Sequence, residues 1–511
     1  MTQTMLPPIT SAQQQPAQPV YEITEQDKKR VLAIQAAWQA YNGELPPPLK
    51  TMPDGTDPNV MSNRCQPIVD RGIDFLFGLE LEISVEENAA QKVQKFLDQT
   101  WGRKEARLPL LQELGMNGAI AGCAFLRIVP NADASKFRLI TVDPSTVFLQ
   151  TAPQDCDTVL LYCIQYAQQE KVNGKSQQVY YREEIMRVDP DGNARREQPD
   201  DDDTWQIQHW TQVTNMNMEP KLENWQPAGE PIMWPYPFAP LFKCKNLPKP
   251  NDAWGTSDLT PDIIQVNKAL NMVQSCIQII EIIYGQPIVV AQGVNESAVK
   301  IEPGKVQVLP PGPESKMYAV AIASDVPNAL TFAENLRSDI DEQSSVPGVA
   351  TGRIATMPRG NLSGIAIELL FMAILKKNDK KRCGYGELII EVSQALLVLA
   401  GLCQRLDDFD ISLAWQNPLP HNDLPSVQAA IALKEVGVSD TTIQRDLGYD
   451  PEEEAALSKA EDEEKIARAQ ALQATLPPAD PGTPALPGQQ YPKPAPGQPQ
   501  QQGGQPPQKG K

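Results

Sequence analysis

The stretch LTPDIIQVNKALNMVQSCIQIIEIIYG, Leu259 to Gly285, constrains the fold more than any other part of the chain. Thr260 offers an N-cap oxygen, Pro261 takes the first helical position, where a missing N–H costs nothing, and Asp262 suits the positive end of the helix dipole. Past Lys268 the apolar residues no longer keep to one stripe. Leu270, Met272, Val273, Cys276, Ile277, Ile279, Ile280, Ile282 and Ile283 cover most of the circumference, and a helix with that pattern is buried on several sides. A membrane span needs about 20 nearly uninterrupted apolar residues. Asn271, Gln274, Gln278 and Glu281 interrupt this run, which argues against a membrane helix. Two readings stay open: the central helix of a large core, and a helix shared between neighbouring copies of the same chain.

A chain of 511 residues has room for several domains. Its 45 basic and 64 acidic residues give a net charge of −19. That argues against a protein that coats nucleic acid, because phosphate binding rests on surplus Lys and Arg. It is compatible with a protein that lets DNA pass without gripping it. The eight cysteines are scattered, with no C-x-x-C pair, and several sit in apolar runs such as VLLYCIQY. They read as reduced core residues in a cytosolic setting, without a disulfide or zinc framework. The first 20 residues hold neither a basic n-region nor an apolar h-region, so no secretory signal is expected.

Both ends are of low complexity. Residues 1–24 begin rich in Gln and Pro, and 474–511 are dominated by Pro, Gly and Gln. Such segments bury too little apolar surface to offset their ordering entropy and are expected to be disordered. Between them, Glu25–Tyr41 reads as a helix. MSNRCQPIVDRGIDFLFGLELEISV reads as a periodic helix, a stop at Gly78, and a strand. Asn88–Trp101 and Leu108–Gly122 have helical patterns. Phe137–Phe148, a segment alternating through Leu160, Tyr162, Ile164 and Tyr166, Val179–Val188 and Trp205–Val213 read as strands. A Pro/Gly-punctuated strand module follows the apolar helix, and a second helix returns over about Asn328–Ser345. Next come the Gly-rich loop PGVATGRIATMPRGNLSG, a long helix from Gly364 with a break expected near Gly384 and Gly386, and a helical region over Leu424–Leu472. The fold class is α+β, without internal repeats.

Enzyme signatures are missing. There is no G-x-x-x-x-G-K-[ST] and no G-x-S-x-G, and GYGELI lacks the third glycine of a dinucleotide fingerprint. Neither histidine, His209 nor His421, is accompanied by a nucleophile motif. The run Asp200–Asp203 could gather a divalent cation, but it lacks the spaced oxygens and turning Gly of a calcium loop, and a solvated acidic loop is the simpler reading. The expectation is no catalytic residue, no metal and no cofactor. The positive features are KKNDKKR at Lys376–Arg382, and Arg353 and Arg359 flanking Met357 in the Gly-rich loop. The loop reads either as plain surface or as a mobile element touching a polyanion.

Four segments in order resemble the portal proteins of tailed bacteriophages: NRCQPIVDRGIDFLFGLELEI, PFAPLFKCKNLPKPNDAWGTSDLTPDIIQVNKALN, SGIAIELLFMAILKKNDKKR and GVSDTTIQRDLGYDPEEE. The resemblance covers about residues 25–472. It implies a wing over 25–257, a first stem helix over 258–284, a clip over 285–326 and a second stem helix over 327–345. A tunnel loop over 346–362, a long helix returning to the wing over 363–421 and a helical crown over 422–473 complete the portal fold. It further implies a homo-oligomeric ring, most often a dodecamer, at one vertex of the virion capsid, assembled in the host cytoplasm. Double-stranded DNA would pass through the ring during packaging and ejection. Terminase large subunit and later a head–tail adaptor would dock on the clip, with major capsid and scaffolding proteins as further partners and no membrane. On this reading Arg353, Met357 and Arg359 face DNA, and Lys376, Lys377, Lys380 and Lys381 are candidate cationic contacts to DNA or a neighbouring subunit. Ile277, Ile280 and Ile283 pack between stems, and Lys300, Glu302 and Lys305 belong to the docking clip. The rival readings are another ring-forming head–tail connector and a metal-dependent hydrolase using Asp200–Asp203.

Overall fold

The computed structural model describes residues 18–52, 55–85, 91–102, 104–131, 136–172, 175–195, 199–200, 202–215, 218–285, 289–292, 316–319, 326–353 and 364–419, with 434, 439, 442 and 459. The chain divides into two compact units, residues 1–421 and 422–511; the architecture that follows is that of the first. Its elements begin with α1 (Glu25–Asn42), α2 (Cys65–Phe77), β1 (Leu81–Val85), α3 (Gln91–Thr100) and α4 (Lys104–Ala121). Strands follow: β2 (Cys123–Pro130), β3 (Phe137–Val142), β4 (Val147–Ala152), β5 (Asp155–Val172), β6 (Lys175–Val188) and β7 (Thr204–Thr214). Then come β8 (Gln226–Pro227), β9 (Ile232–Trp234), β10 (Leu241–Lys245), α5 (Pro261–Gly285), β11 (Val289–Gln292) and β12 (Lys316–Ala319). The last are α6 (Val326–Ser344), α7 (Gly364–Leu399) and β13 (Ile411–Trp415).

The pairing among these strands is antiparallel throughout. The largest sheet runs β4-β5-β6-β7-β8, with β9 also on β7, and a three-stranded sheet runs β10-β2-β3. Along β5, Tyr162 and Ile164 enter one core while Leu161 and Cys163 enter another. The long sheet is therefore covered on both faces there, as period-2 alternation allows. Arg127 of β2 ties the two sheets together through paired 2.6 Å hydrogen bonds to Glu183 of β6.

Local signals account for the helix ends. Thr24 caps α1 through a reciprocal box with Asp27, and Gly43 closes it at φ +75°. The chain just before that cap, expected to be disordered as far as residue 24, is held from Val20. The Glu184 carboxylate accepts the N–H groups of Val20 and Tyr21, both at 2.9 Å, and Arg182 donates to the Tyr21 carbonyl.

Three expectations need correction. Phe137–Phe148 is not one strand: Asp143 caps a short 3-10 turn with Pro144 at its start, so the chain leaves one sheet and enters another. Helix α4 begins at Lys104 rather than at Leu108, because buried Arg107 anchors the added turn to the Leu81 carbonyl at 2.9 Å. Helix α7 runs unbroken past Gly384 and Gly386. Gly384 is there for close approach, since a Cβ would stand 3.2 Å from the Lys245 carbonyl oxygen of β10.

Two cores meet along α7. Leu388, Ile389, Val392 and Leu396 pack with Phe125 and Leu126 of β2 and Leu97 of α3. Ile374, one end of the same helix, joins Ile68, Ile120, Leu270, Leu336 and Ile340 in a helical core shared by α2, α4, α5 and α6. All eight cysteines are free. Among the described residues no helix is long and apolar enough to cross a membrane.

Candidate functional site

The polar residues that interrupt α5 have a specific use. Asn267, Asn271 and Ser275 are four residues apart, so they stack on one face about 6 Å apart. An extended chain advances about 6.6 Å for every two residues. The near match lets Asn267, Asn271 and Ser275 accept the backbone N–H groups of Arg64, Ser62 and Val60 at 3.0, 3.0 and 2.9 Å. All three are buried. Segment 60–64 is thereby bound to α5 as if to a neighbouring strand.

The start of α5 is fixed by charge. Asp258 lies buried, with its N–H on the Ala119 carbonyl at 2.8 Å. Its carboxylate accepts from Lys381 and from Asn246 at 3.3 Å, and it pairs with Lys377 at 3.1 Å. Lys377 also donates to the carbonyl of Ser344, the last residue of α6, at 2.8 Å. Through its carboxylate and its backbone N–H, Asp258 thus gathers the start of α5, the end of α6, α4 and α7. Burial by itself would raise the Asp258 pKa, but Lys381 and Lys377 override it and hold the carboxyl below its usual value. For Lys381, burial outweighs the single shared carboxylate, and its pKa falls below the ordinary lysine value.

A second fork lies in the first part of the Gly-rich loop. Arg353 donates to Asp341 at 2.6 Å and to Glu334, both on α6, and its side chain is 16% exposed. Burial, opposed by Arg353, leaves the Asp341 carboxyl above its usual range.

Helices α5 and α6 pack through Ala333, Leu336 and Ile340 of α6. On α5 the side turned from this core carries exposed Met272 and Cys276 and half-buried Ile279 and Ile280. Leu330 and Phe332 of α6 are 54% and 52% exposed. Exposed apolar side chains therefore stand on both helices with no covering element among the described residues.

The residues singled out from the sequence separate into groups. Lys377 and Lys381 come together on Asp258, and Lys381 is buried. Lys376 pairs with Asp379 at 3.4 Å on the outer face, and Lys380 is exposed. Ile277 and Ile280 are half-buried on α5; Ile283 belongs to the helix, but its side chain lies outside the described residues, as do Met357, Arg359, Lys300, Glu302 and Lys305. Of the acidic run, Asp203 is buried between Arg187 at 3.4 Å and Arg195 at 2.8 Å, and Asp200 also pairs with Arg195. Those arginines hold two of the carboxylates a metal would need. His209 is half-buried in β7, opposite Glu183. The sequence reading missed Asp258 and the Asn267–Asn271–Ser275 ladder. Three polar residues at intervals of four within an apolar helix were the available signal.

The family described as "Phage portal protein, SPP1 Gp6-like" matches residues 22–228 and 265–468. The unmatched interval 229–264 holds β9, β10 and Asp258. No curated protein matches the chain. Among solved structures, a chain of the "Neck of native GTA particle computed with C12 symmetry" aligns at 12% identity and a TM-score of 0.39, covering 75% of this chain and 90% of that one. A chain of the "Virion of native gene transfer agent (GTA) particle" aligns at 11% identity and a TM-score of 0.38, with the same coverage.

Proposed function

Given that the chain belongs to the SPP1 Gp6-like phage portal protein family, we propose that it assembles into a ring at one vertex of a virion capsid. The ring is the conduit for double-stranded DNA during packaging and ejection and the platform on which a terminase and later a head–tail adaptor dock. Helices α5 and α6 serve as the stem, β11 and β12 belong to the clip between them, and the sheets with α1–α4 form the wing. Residues 346–362 are the tunnel loop, and 422–473 the crown. Assembly proceeds in the host cytoplasm, with about a dozen copies, scaffolding protein and major capsid protein.

One observation carries this reading: the exposed apolar side chains Met272 of α5 and Leu330 and Phe332 of α6, which have no covering element among the described residues. In a cyclic assembly each stem helix meets its own partner and those of neighbouring copies, so more than one face is buried. The net charge of −19 supports a conduit, because many cationic contacts would hold DNA rather than let it move. Lys377 and Lys381 act inside the chain in this reading, and Arg353 anchors the near end of the tunnel loop. Met357, Arg359, Lys376 and Lys380 remain the proposed cationic and apolar contacts to DNA or a neighbour.

Ile280→Asp tests the stem. A carboxylate on a desolvated interface costs several kcal/mol, so the variant is expected to stay a folded subunit by circular dichroism and to form no rings by mass photometry. Intact rings from this variant would remove the stem interface from the proposal.

A further inference from the structure

A groove of about 490 Å³ lies between α1 and the face of the large sheet that Tyr21 helps to cover. Phe148, Tyr180 and Trp225 give it an aromatic lining, and α1 contributes Val31 and Leu32, the latter 64% exposed. Both cations of the lining have anions within the chain. Arg182 lies 5.5 Å over the Trp225 ring and donates to Glu184 at 2.6 Å, and Lys28 pairs with Glu219 at 3.1 Å. Glu22 is exposed to water. Nothing in the lining therefore calls for an acidic partner, and covering Leu32 and the rings favours an uncharged, apolar one.

A segment of that kind is tethered beside the groove. The described residues begin at Gln18; Glu184 pins Val20 and Tyr21, and Glu22 and Ile23, next in line, already border the groove. Residues 1–17, MTQTMLPPITSAQQQPA, carry no charged side chain, and their large apolar residues gather at Met5, Leu6 and Ile9 around Pro7 and Pro8. Proline fixes φ and pushes the residue before it to extended backbone. The sequence is thus pre-set toward the polyproline conformation in which Pro-rich segments lie in aromatic grooves. Ile9 stands nine positions before Gln18, a reach of about 28 Å at about 3.1 Å per residue. The part of α1 that borders the groove, Lys28 to Gln35, is about 10 Å long. The segment can turn back and lie along α1, and its tether gives it a high effective concentration there.

We propose that residues 5–9 dock in this groove of their own chain, with Leu6 and Ile9 against Leu32 and the aromatic rings. The inference is independent of the ring reading, because one copy supplies both the groove and its occupant.

The test places a benzoylphenylalanine photoprobe at Gln35, an exposed residue on the α1 side of the groove, in the full-length chain. Unlabelled and heavy-nitrogen-labelled copies are mixed, irradiated and digested. The expected product joins the probe to a peptide from residues 1–17 of the same label. Links only to the other label would seat a neighbour's segment in the groove and overturn the inference. So would links only to residues 474–511, or none to 1–17. Leu6→Asp with Ile9→Asp should lower the linked yield about tenfold, because a carboxylate is poorly tolerated against apolar surface. An unchanged yield would mean that the tether alone brings the segment near, and would also overturn the docking. A second measurement needs no probe. A fluorescent synthetic peptide of residues 1–17 should bind the double variant, whose groove is open, at least about tenfold more tightly than the wild-type chain, whose own segment competes. Equal binding to the two chains, or binding to neither, refutes the proposal.

Discussion

Replacing Asp258 with Asn keeps the shape of the side chain and removes the carboxylate that Lys377 and Lys381 share. The consequences for the two lysines differ. Lys377 is 16% exposed and keeps the Ser344 carbonyl, so water and that oxygen can still serve it. Lys381 is 2% exposed beside a carboxylate 1% exposed, and it is left buried without an anion. Removing one partner of a buried pair costs about 3–5 kcal/mol, a large part of the roughly 5–15 kcal/mol that holds a typical domain folded. Urea unfolding of the full chain, followed through the loss of helix signal, reads the difference. Asp258→Asn combined with Lys381→Met should recover at least about half of the loss, because the orphaned cation is gone as well. The pH dependence gives a second check. Burial opposes ionisation of Asp258, but the two lysines hold its pKa below the usual 3.8. A depressed carboxylate contributes stability that is fully present above its unfolded value and is lost as pH falls through the folded one. The gap between wild type and Asp258→Asn should therefore close in acid. A loss under about 1 kcal/mol, or simple additivity with Lys381→Met, would refute the reasoning.

Asn271→Ala removes the middle rung that binds segment 60–64 to α5 and leaves the Ser62 N–H unpaired, a loss of about 1–3 kcal/mol. Amide exchange at Ser62 should quicken more than at Val60 or Arg64; equal protection in both proteins would deny the ladder a role. Arg353→Met withdraws the cation that opposes burial at Asp341, so the Asp341 pKa, followed by carboxyl NMR titration, should rise further. A fall, or no change, would show that the fork does not control that group. Deleting residues 477–511, whose composition cannot support a core, should leave the oligomer unchanged by mass photometry, and loss of assembly would give the tail a structural part.

What could be read from the sequence depended on the range of the interaction. The capping of α5 by Thr260 and Pro261, the stop after α2 at Gly78 and the strand periods of β5 to β7 are local, and each signal lies within a few residues of its effect. Pairing of β1 with β13 joins residues more than three hundred positions apart and left no local trace. The two glycines of α7 read as a break because glycine weakens an isolated helix. In the folded chain, α7 lies so close to β10 that a side chain at Gly384 would meet the Lys245 carbonyl. Charge was the hardest to interpret. KKNDKKR looked like one positive patch, yet helical geometry sends Lys377 and Lys381 inward to Asp258 while Lys376 stays 75% exposed. The partner, Asp258, lies more than a hundred residues earlier, in a turn that gave no sign of being buried.

The central claim is that copies of this chain close a ring through the exposed apolar side chains of α5 and α6. Electron microscopy of the purified full-length chain, with mass photometry on the same sample, tests it most directly. The account predicts closed rings of about a dozen copies around a central channel, with the two stem helices of each copy packed against those of its neighbours. A compact monomer that persists at high concentration, or a ring whose contacts leave Met272, Ile280 and Phe332 exposed, would contradict it.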